Sequence, residues 1–276
     1  MDQLFVRAAI STFLAEDLGA GDLTSAAIFG PKQMARAEFI AQVPMIAAGM
    51  ATVAAQVFTT INPEVRFTAV ADGTSITPGQ TTLTVEGPVL DLLKAERVAL
   101  NLVQRLCGIA TLTAKFVELI RPLPVKITDT RKTTPGLRSF EKYAVRVGGG
   151  HNHRFGLSDG IMIKDNHLAA AGSITKAVAL VRASIPHTLK IEVEAETLDQ
   201  VQECLDCGVE IIMLDNMDCD SMRQAVTMTG GRALLEASGG INLTNVRQIA
   251  ETGVNIISIG ALTHSAPACD ISMRII

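Results

Sequence analysis

The chain of 276 residues has no tryptophan, one tyrosine and 4% aromatic residues. Base-stacking platforms need aromatic faces, so this scarcity counts against recognition of single-stranded nucleic acid. A basic surplus is missing as well: 24 Lys and Arg face 28 Asp and Glu, for a formal charge of −4. Affinity for a phosphate backbone rests on an extended cationic surface, which this balance does not supply. The five cysteines are an odd number without framework spacing, as expected in a reducing cytoplasm. Cys204 and Cys207 make a CxxC, but no second pair accompanies it and the segment has helical character, which favours packing over zinc or redox chemistry. No apolar run reaches bilayer length, since the richest, 45–58, is interrupted by Gly49, Thr52 and Gln56. The opening residues, with Asp2 in second place, lack the basic and apolar regions of a secretory signal. A soluble cytoplasmic protein is expected, with neither membrane nor nucleic acid among its partners.

What is present is apolar mass, 48% of the residues, enough for one large core or two of ordinary size. Leu4, Ala8, Ile10, Leu14 and Leu18 recur at near-helical spacing before Gly19 and Gly21, which predicts a helix over 1–18. Asp22-Leu23-Thr24-Ser25 reads as an Asx turn or a helix cap. Strand-like runs at 35–42, 65–70 and 81–85 surround a small-residue helix at 48–60, with turn chemistry at Asn62-Pro63, Asp72-Gly73 and Pro78-Gly79. Sequential strands joined by short turns predict an antiparallel sheet and hence an α+β unit. A long helix over 90–120 follows, its apolar stripe made by Leu92, Leu93, Ala99, Leu100, Val103 and Leu106.

From Val125 the rhythm becomes βα. Apolar runs at 125–128, 161–164, 189–194, 210–214, 233–236 and 255–259 alternate with helical segments at 139–147, 173–183, 197–207, 218–228 and 244–251. Such alternation predicts a parallel sheet, and without a GxGxxG fingerprint a barrel is favoured over a dinucleotide fold. Reactive groups of βα barrels gather at the carboxyl ends of the strands. Here those ends carry Arg131 and Lys132, Lys164, Glu194, Asp215, Ser238-Gly239-Gly240 and Gly260.

The stretch 126–167 concentrates charge of one sign, with eight Lys and Arg against four acids, and holds three of the five histidines. Guanidinium forks and lysine ammoniums placed at strand ends suit a polyanionic ligand better than a solvated basic face. The turns Ser238-Gly239-Gly240 and Ile259-Gly260-Ala261, with His264 beyond, follow the last two strands, where barrels commonly seat a phosphate on backbone N–H groups. Glu192 and Glu194 share one face of a strand. Glu194 and Asp215 could ligate Mg²⁺ through hard oxygen atoms, or Glu194 could pair with Lys132, Lys164 or Lys190, and the residues leave both open.

The segments EDLGAGDLTS, AERVALNLVQRLCGIAT, TRKTTPGLRSFEKYAVRVGGG, NHR, IKDNH, IEVEAET, IIMLDN, EASGGIN and SIGALTHSAPACDISM, in that order, resemble the quinolinate phosphoribosyltransferase family over essentially the whole chain. The resemblance implies an incompletely closed seven-stranded α/β barrel at 113–265, behind an N-terminal α+β domain at 1–112 with which the tail 266–276 packs. Six strands are evident, and the seventh is expected near 151–155. The reaction implied is quinolinate plus 5-phosphoribosyl-1-pyrophosphate giving nicotinate mononucleotide, pyrophosphate and CO₂. By likeness, Lys132, Glu194 and Asp215 are catalytic, with Glu194 and Asp215 holding Mg²⁺. Thr130, Arg131, His153, Arg154 and Lys164 would bind quinolinate, together with Arg97 reaching across a homodimer that could assemble further. The phosphoribosyl donor would meet Lys132, Glu194, Asp215, Ser238, Gly239, Gly240, Ile259, Gly260, Ala261 and His264. Outside the resemblance, Arg97 beside Glu96 reads as a surface charge. A Schiff-base barrel using Lys164 and a non-catalytic sensor of phosphorylated metabolites are the readings from other classes.

Overall fold

Two aspartates open the chain's first helices. The Asp2 carboxylate accepts the amides of Leu4 and Phe5 and starts α1 (Gln3–Leu18), and Asp22 accepts the Ser25 amide and starts α2 (Leu23–Ile28). The buried row of α1 is Val6, Ile10 and Leu14, a strict i, i+4 series, whereas Leu4 is 78% exposed. The expected stripe was thus right at Ile10 and Leu14 and wrong at Leu4 and Ala8, each about 200° around the helix from Val6.

The computed structural model describes residues 1–276. After α2 come β1 (Met34–Ala41), β2 (Met45–Ile46), a π-helical turn (Met50–Ala54), α3 (Ala55–Ile61), β3 (Arg66–Ala69), β4 (Ser75–Ile76) and β5 (Thr81–Pro88). Then follow α4 (Val89–Ile120), β6 (Lys126–Thr128), α5 (Arg138–Val147), β7 (Ile161–Ile163), α6 (Asp165–Ala171) and α7 (Ile174–Ser184). The remainder is β8 (Ile191–Ala195), α8 (Leu198–Asp206), β9 (Ile211–Asp215), α9 (Cys219–Thr229), β10 (Leu234–Ser238), α10 (Val246–Ala250), β11 (Ile256–Ser258), α11 (Ala261–His264) and β12 (Ile271–Ile275).

Contacts divide the chain into two units: Met1–Ala114 with Thr134–Gly149 and Ser265–Ile276, and Lys115–Thr133 with Gly150–His264. The first unit contains an antiparallel sheet of order β12-β1-β5-β3, so the chain's last strand is paired with its first, Ile271 opposite Ala41. Ala37, Phe39 and Ala41 are buried in alternation, as one covered sheet face requires. Helix α5 groups with this unit and buries Phe140 against the rings of Phe5 and Phe13.

The second unit is a parallel sheet of order β6-β11-β10-β9-β8-β7. Its centre is apolar on the helix side, with Val193, Ile212, Leu214, Ala237 and Ile257 fully buried. The seventh strand is reduced to one parallel bridge, Thr128 to His151. Beyond it, the ladder is diverted because Asp129 takes the backbone donor of His153 (2.9 Å) and the side-chain amide of Asn152 (2.5 Å). The sheet therefore ends at the His151 segment on one side and β7 on the other, an incompletely closed barrel. Helix α6 was not foreseen, since its polar opening, Asp165-Asn166-His167, reads as loop. No helix is long and apolar enough to cross a membrane.

Candidate active site

Alternate residues of a strand face the same side. Lys164 therefore follows Met162 inward, Glu194 follows Glu192, Asp215 follows Met213 and Ser238 follows Glu236. The outer members of these pairs meet Thr130, Arg131 and Lys132, from the end of β6, around one cleft of about 490 Å³. His153, Arg154, Asp165, Asn216, Gly239 and Gly240 complete its wall, together with Met162, Met213 and Ser258. The expected convergence of strand ends is thus present within a single unit.

Several contacts order the cations. The Lys132 amide donates to Thr130 Oγ1 (3.1 Å), and its carbonyl accepts from Thr263 Oγ1 (2.8 Å). Its aliphatic stem crosses Gly260 so closely that a Cβ there would stand 2.8 Å from Lys132 Cδ, which explains the glycine. Arg154 donates to the Gly160 carbonyl at 2.8 Å. Partial burial, then the neighbouring Arg131 guanidinium, lowers the pKa of Arg154, with Glu192, Asp159 and Glu194 opposing. Cations arranged this way favour an anionic guest. Lys164 is backed by His167, whose Nδ1 accepts the Lys164 amide at 2.9 Å.

Of the three lysines open to Glu194 as ion-pair partners, Lys164 is the one it meets. Asp215, on the adjacent strand, accepts from Asn216 Nδ2 at 3.0 Å. Asn216 has a left-handed backbone (φ 54°), and its amide bonds the Ser238 carbonyl. Gly239 must be glycine beside it, because a Cβ would lie 2.1 Å from Asn216 Oδ1. Two carboxylates at a polar mouth are hard oxygen donors, and this donor set fits Mg²⁺.

Five expected residues do not line the cleft. Ile259 is buried, Ala261 opens α11 and His264 is exposed at its end, while Gly260 acts through the stem of Lys132. Arg97 is exposed on α4 in the first unit, and it too is absent from the lining. His153 is brought in with partners that were not anticipated. Its Nε2 lies 3.0 Å from Glu192 Oε2 and 3.7 Å from Glu236 Oε1. Burial, then the Glu192 carboxylate, raises the Glu236 pKa to about 7, against the opposing effect of His153. Glu236 was legible by the same parity that paired Glu192 with Glu194, since Ser238 stands two residues on. Asp129, Asn216 and Ser258 gave no comparable signal.

The likenesses of the chain agree with this geometry. Residues 109–274 match the quinolinate phosphoribosyl transferase C-terminal domain, and residues 22–107 the N-terminal domain of the same family. A Bacillus subtilis protein named probable nicotinate-nucleotide pyrophosphorylase (carboxylating) is 46% identical over 276 residues, covering 100% of this chain and 95% of that one. A solved NadC structure from Streptococcus pyogenes superposes with a TM-score of 0.96 at 43% identity, covering 99% of this chain and 97% of the other. The nicotinate-nucleotide pyrophosphorylase of Francisella tularensis gives a TM-score of 0.94 at 36% identity, over 100% and 98% of the two chains. Matched across both domains, in sequence and in fold, the chain belongs to the quinolinate phosphoribosyltransferase family.

Proposed function

We propose that the protein transfers the phosphoribosyl group of 5-phosphoribosyl-1-pyrophosphate to the ring nitrogen of quinolinate, releasing pyrophosphate and CO₂ and leaving nicotinate mononucleotide for NAD biosynthesis in the cytoplasm. The carrying observation is the cleft in which Arg131, Lys132, Arg154 and Lys164 face Glu194 and Asp215. Quinolinate brings two carboxylates, and Arg131, Arg154 and Lys164 supply matching charge, with Thr130 and His153 beside them. Breaking the C1–O bond puts positive charge on the sugar and negative charge on pyrophosphate. Lys132 would stabilise the leaving oxygens, and the carboxylates of Glu194 and Asp215 the cationic carbon. Magnesium held by Glu194 and Asp215 would neutralise pyrophosphate charge. The Gly239-Gly240 turn offers backbone donors to the 5-phosphate. Once the ring nitrogen carries ribose it is positive, so the electrons left at the 2-position by CO₂ loss have a sink without an organic cofactor.

Incubation with quinolinate, phosphoribosyl pyrophosphate and Mg²⁺ should yield the mononucleotide and CO₂ in equal amounts, and neither product would overturn the reading. Arg97 is proposed to complete the site of a second copy in a homodimer. Mixing Arg97→Ala with Lys164→Ala subunits should restore part of the activity, because hybrids hold one intact site; no restoration would refute the shared site.

A further inference from the structure

His153 lines the cleft, yet both of its nitrogens are engaged within its own unit. Nδ1 accepts the Arg154 amide at 2.7 Å, and Nε2 points at Glu192 Oε2, 3.0 Å away, with Glu236 Oε1 at 3.7 Å. An accepting Nδ1 leaves the ring hydrogen on Nε2. Three ligand atoms of His153, Glu192 and Glu236 lie within 4.8 Å of one another, which invites a metal. The tautomer argues against it, because a metal on Nε2 would require the hydrogen on Nδ1, facing an N–H donor.

The two glutamates are expensive where they stand. Glu192 is 4% exposed and Glu236 2%, and one oxygen of each, Oε1, makes no hydrogen bond. A carboxylate buried with an unsatisfied oxygen costs more than an apolar side chain of similar size. Met213, the register partner of Glu236 on the intervening strand, shows that this face of the sheet accepts one. Packing therefore does not account for the pair.

We infer that Glu192 and Glu236 are positioning residues that act through His153. They seat its ring from beneath and fix the Nε2–H tautomer, so that Nδ1 stays on the Arg154 amide and holds that peptide in place. His153 then offers the cleft its ring as a floor for a planar aromatic acid, while the acid's carboxylates go to the guanidiniums and Lys164. This rests on the proposed transferase reading for its substrate but not for its geometry.

The test has two independent arms. In ¹⁵N NMR of the wild type, His153, assigned by loss of its signals in His153→Gln, should show a protonated Nε2 and an unprotonated Nδ1. Protonation at Nδ1 would overturn the inference whether or not the enzyme turns over quinolinate. In kinetics, Glu192→Gln, which removes the charge that His153 Nε2 meets at 3.0 Å, should raise KM for quinolinate about tenfold, the scale of one lost charge-assisted hydrogen bond, and leave kcat and KM for phosphoribosyl pyrophosphate within about twofold. In a His153→Ala background the same substitution should add nothing. An effect that persists there, spreads equally to both substrates, or fails to appear would overturn the inference. Absence of turnover in the wild type would instead count against the transferase reading alone.

Discussion

Each unit buries carboxylates, and they are treated differently. In the first, Glu141 is fully buried and both its oxygens are used: Oε1 accepts from Arg105 Nε (2.7 Å), and Oε2 from the Thr134 amide (3.1 Å). Arg105 also donates to Thr134 Oγ1 (3.1 Å), which closes the network. In the second unit Asp129 is likewise satisfied through both oxygens, but Glu192 and Glu236, as deeply buried, each keep an oxygen without a hydrogen bond. A closed network holds a segment in place, here the start of the 134–149 excursion. An open one is tolerated where its charge does something else, and it lies directly under the cleft that the strand ends build.

Glu141→Ala should produce the largest loss. It strands Arg105 and an amide, and removing one member of a buried pair costs about 3–5 kcal/mol. Chemical denaturation reads this, and a loss below about 1 kcal/mol would erase the contrast between the networks. Lys132→Ala should lower turnover ~10²-fold or more with little change in unfolding midpoint, because its charge faces the cleft and not the core. Near-normal turnover would remove Lys132 from the leaving-group role.

The third prediction concerns pH. Glu236 is raised from an ordinary 4.5 to about 7 in the fold, so the folded state holds that proton more tightly than the unfolded chain. Its stabilising contribution is complete below about 4.5 and is lost as pH rises through about 7. Glu236→Gln should therefore gain thermal stability relative to wild type between pH 5 and pH 8. A difference that stays flat with pH would show that the open network is not charged as described. The smallest effect is expected at Asp22, a half-buried cap outside both networks. Asp22→Ala should cost about 1 kcal/mol by denaturation and leave activity untouched. A larger loss would mean that burial is not what separates costly from cheap carboxylates here.

Much of this was legible because it is local. Strand parity and the βα rhythm located Lys164, Glu194, Asp215 and Ser238 at the ends of their strands, and the cap of Asp22 acts within three residues. Leu4 misled because a stripe can be drawn through several rows of one helix, and only packing selects the row. Helix α6 escaped because seven residues with a polar start carry too little periodicity.

The sequence by itself determined the elements, their alternation and the charge that ends each strand, since these depend on spacing of a few residues along one chain. Only the tertiary structure decided that Lys164 rather than Lys132 or Lys190 takes Glu194, that His153 rests on Glu192 and Glu236, and that 134–149 joins the first unit. Partners tens of residues apart are chosen by how strands lie side by side, and that choice is made by packing against alternatives that the letters leave equally open.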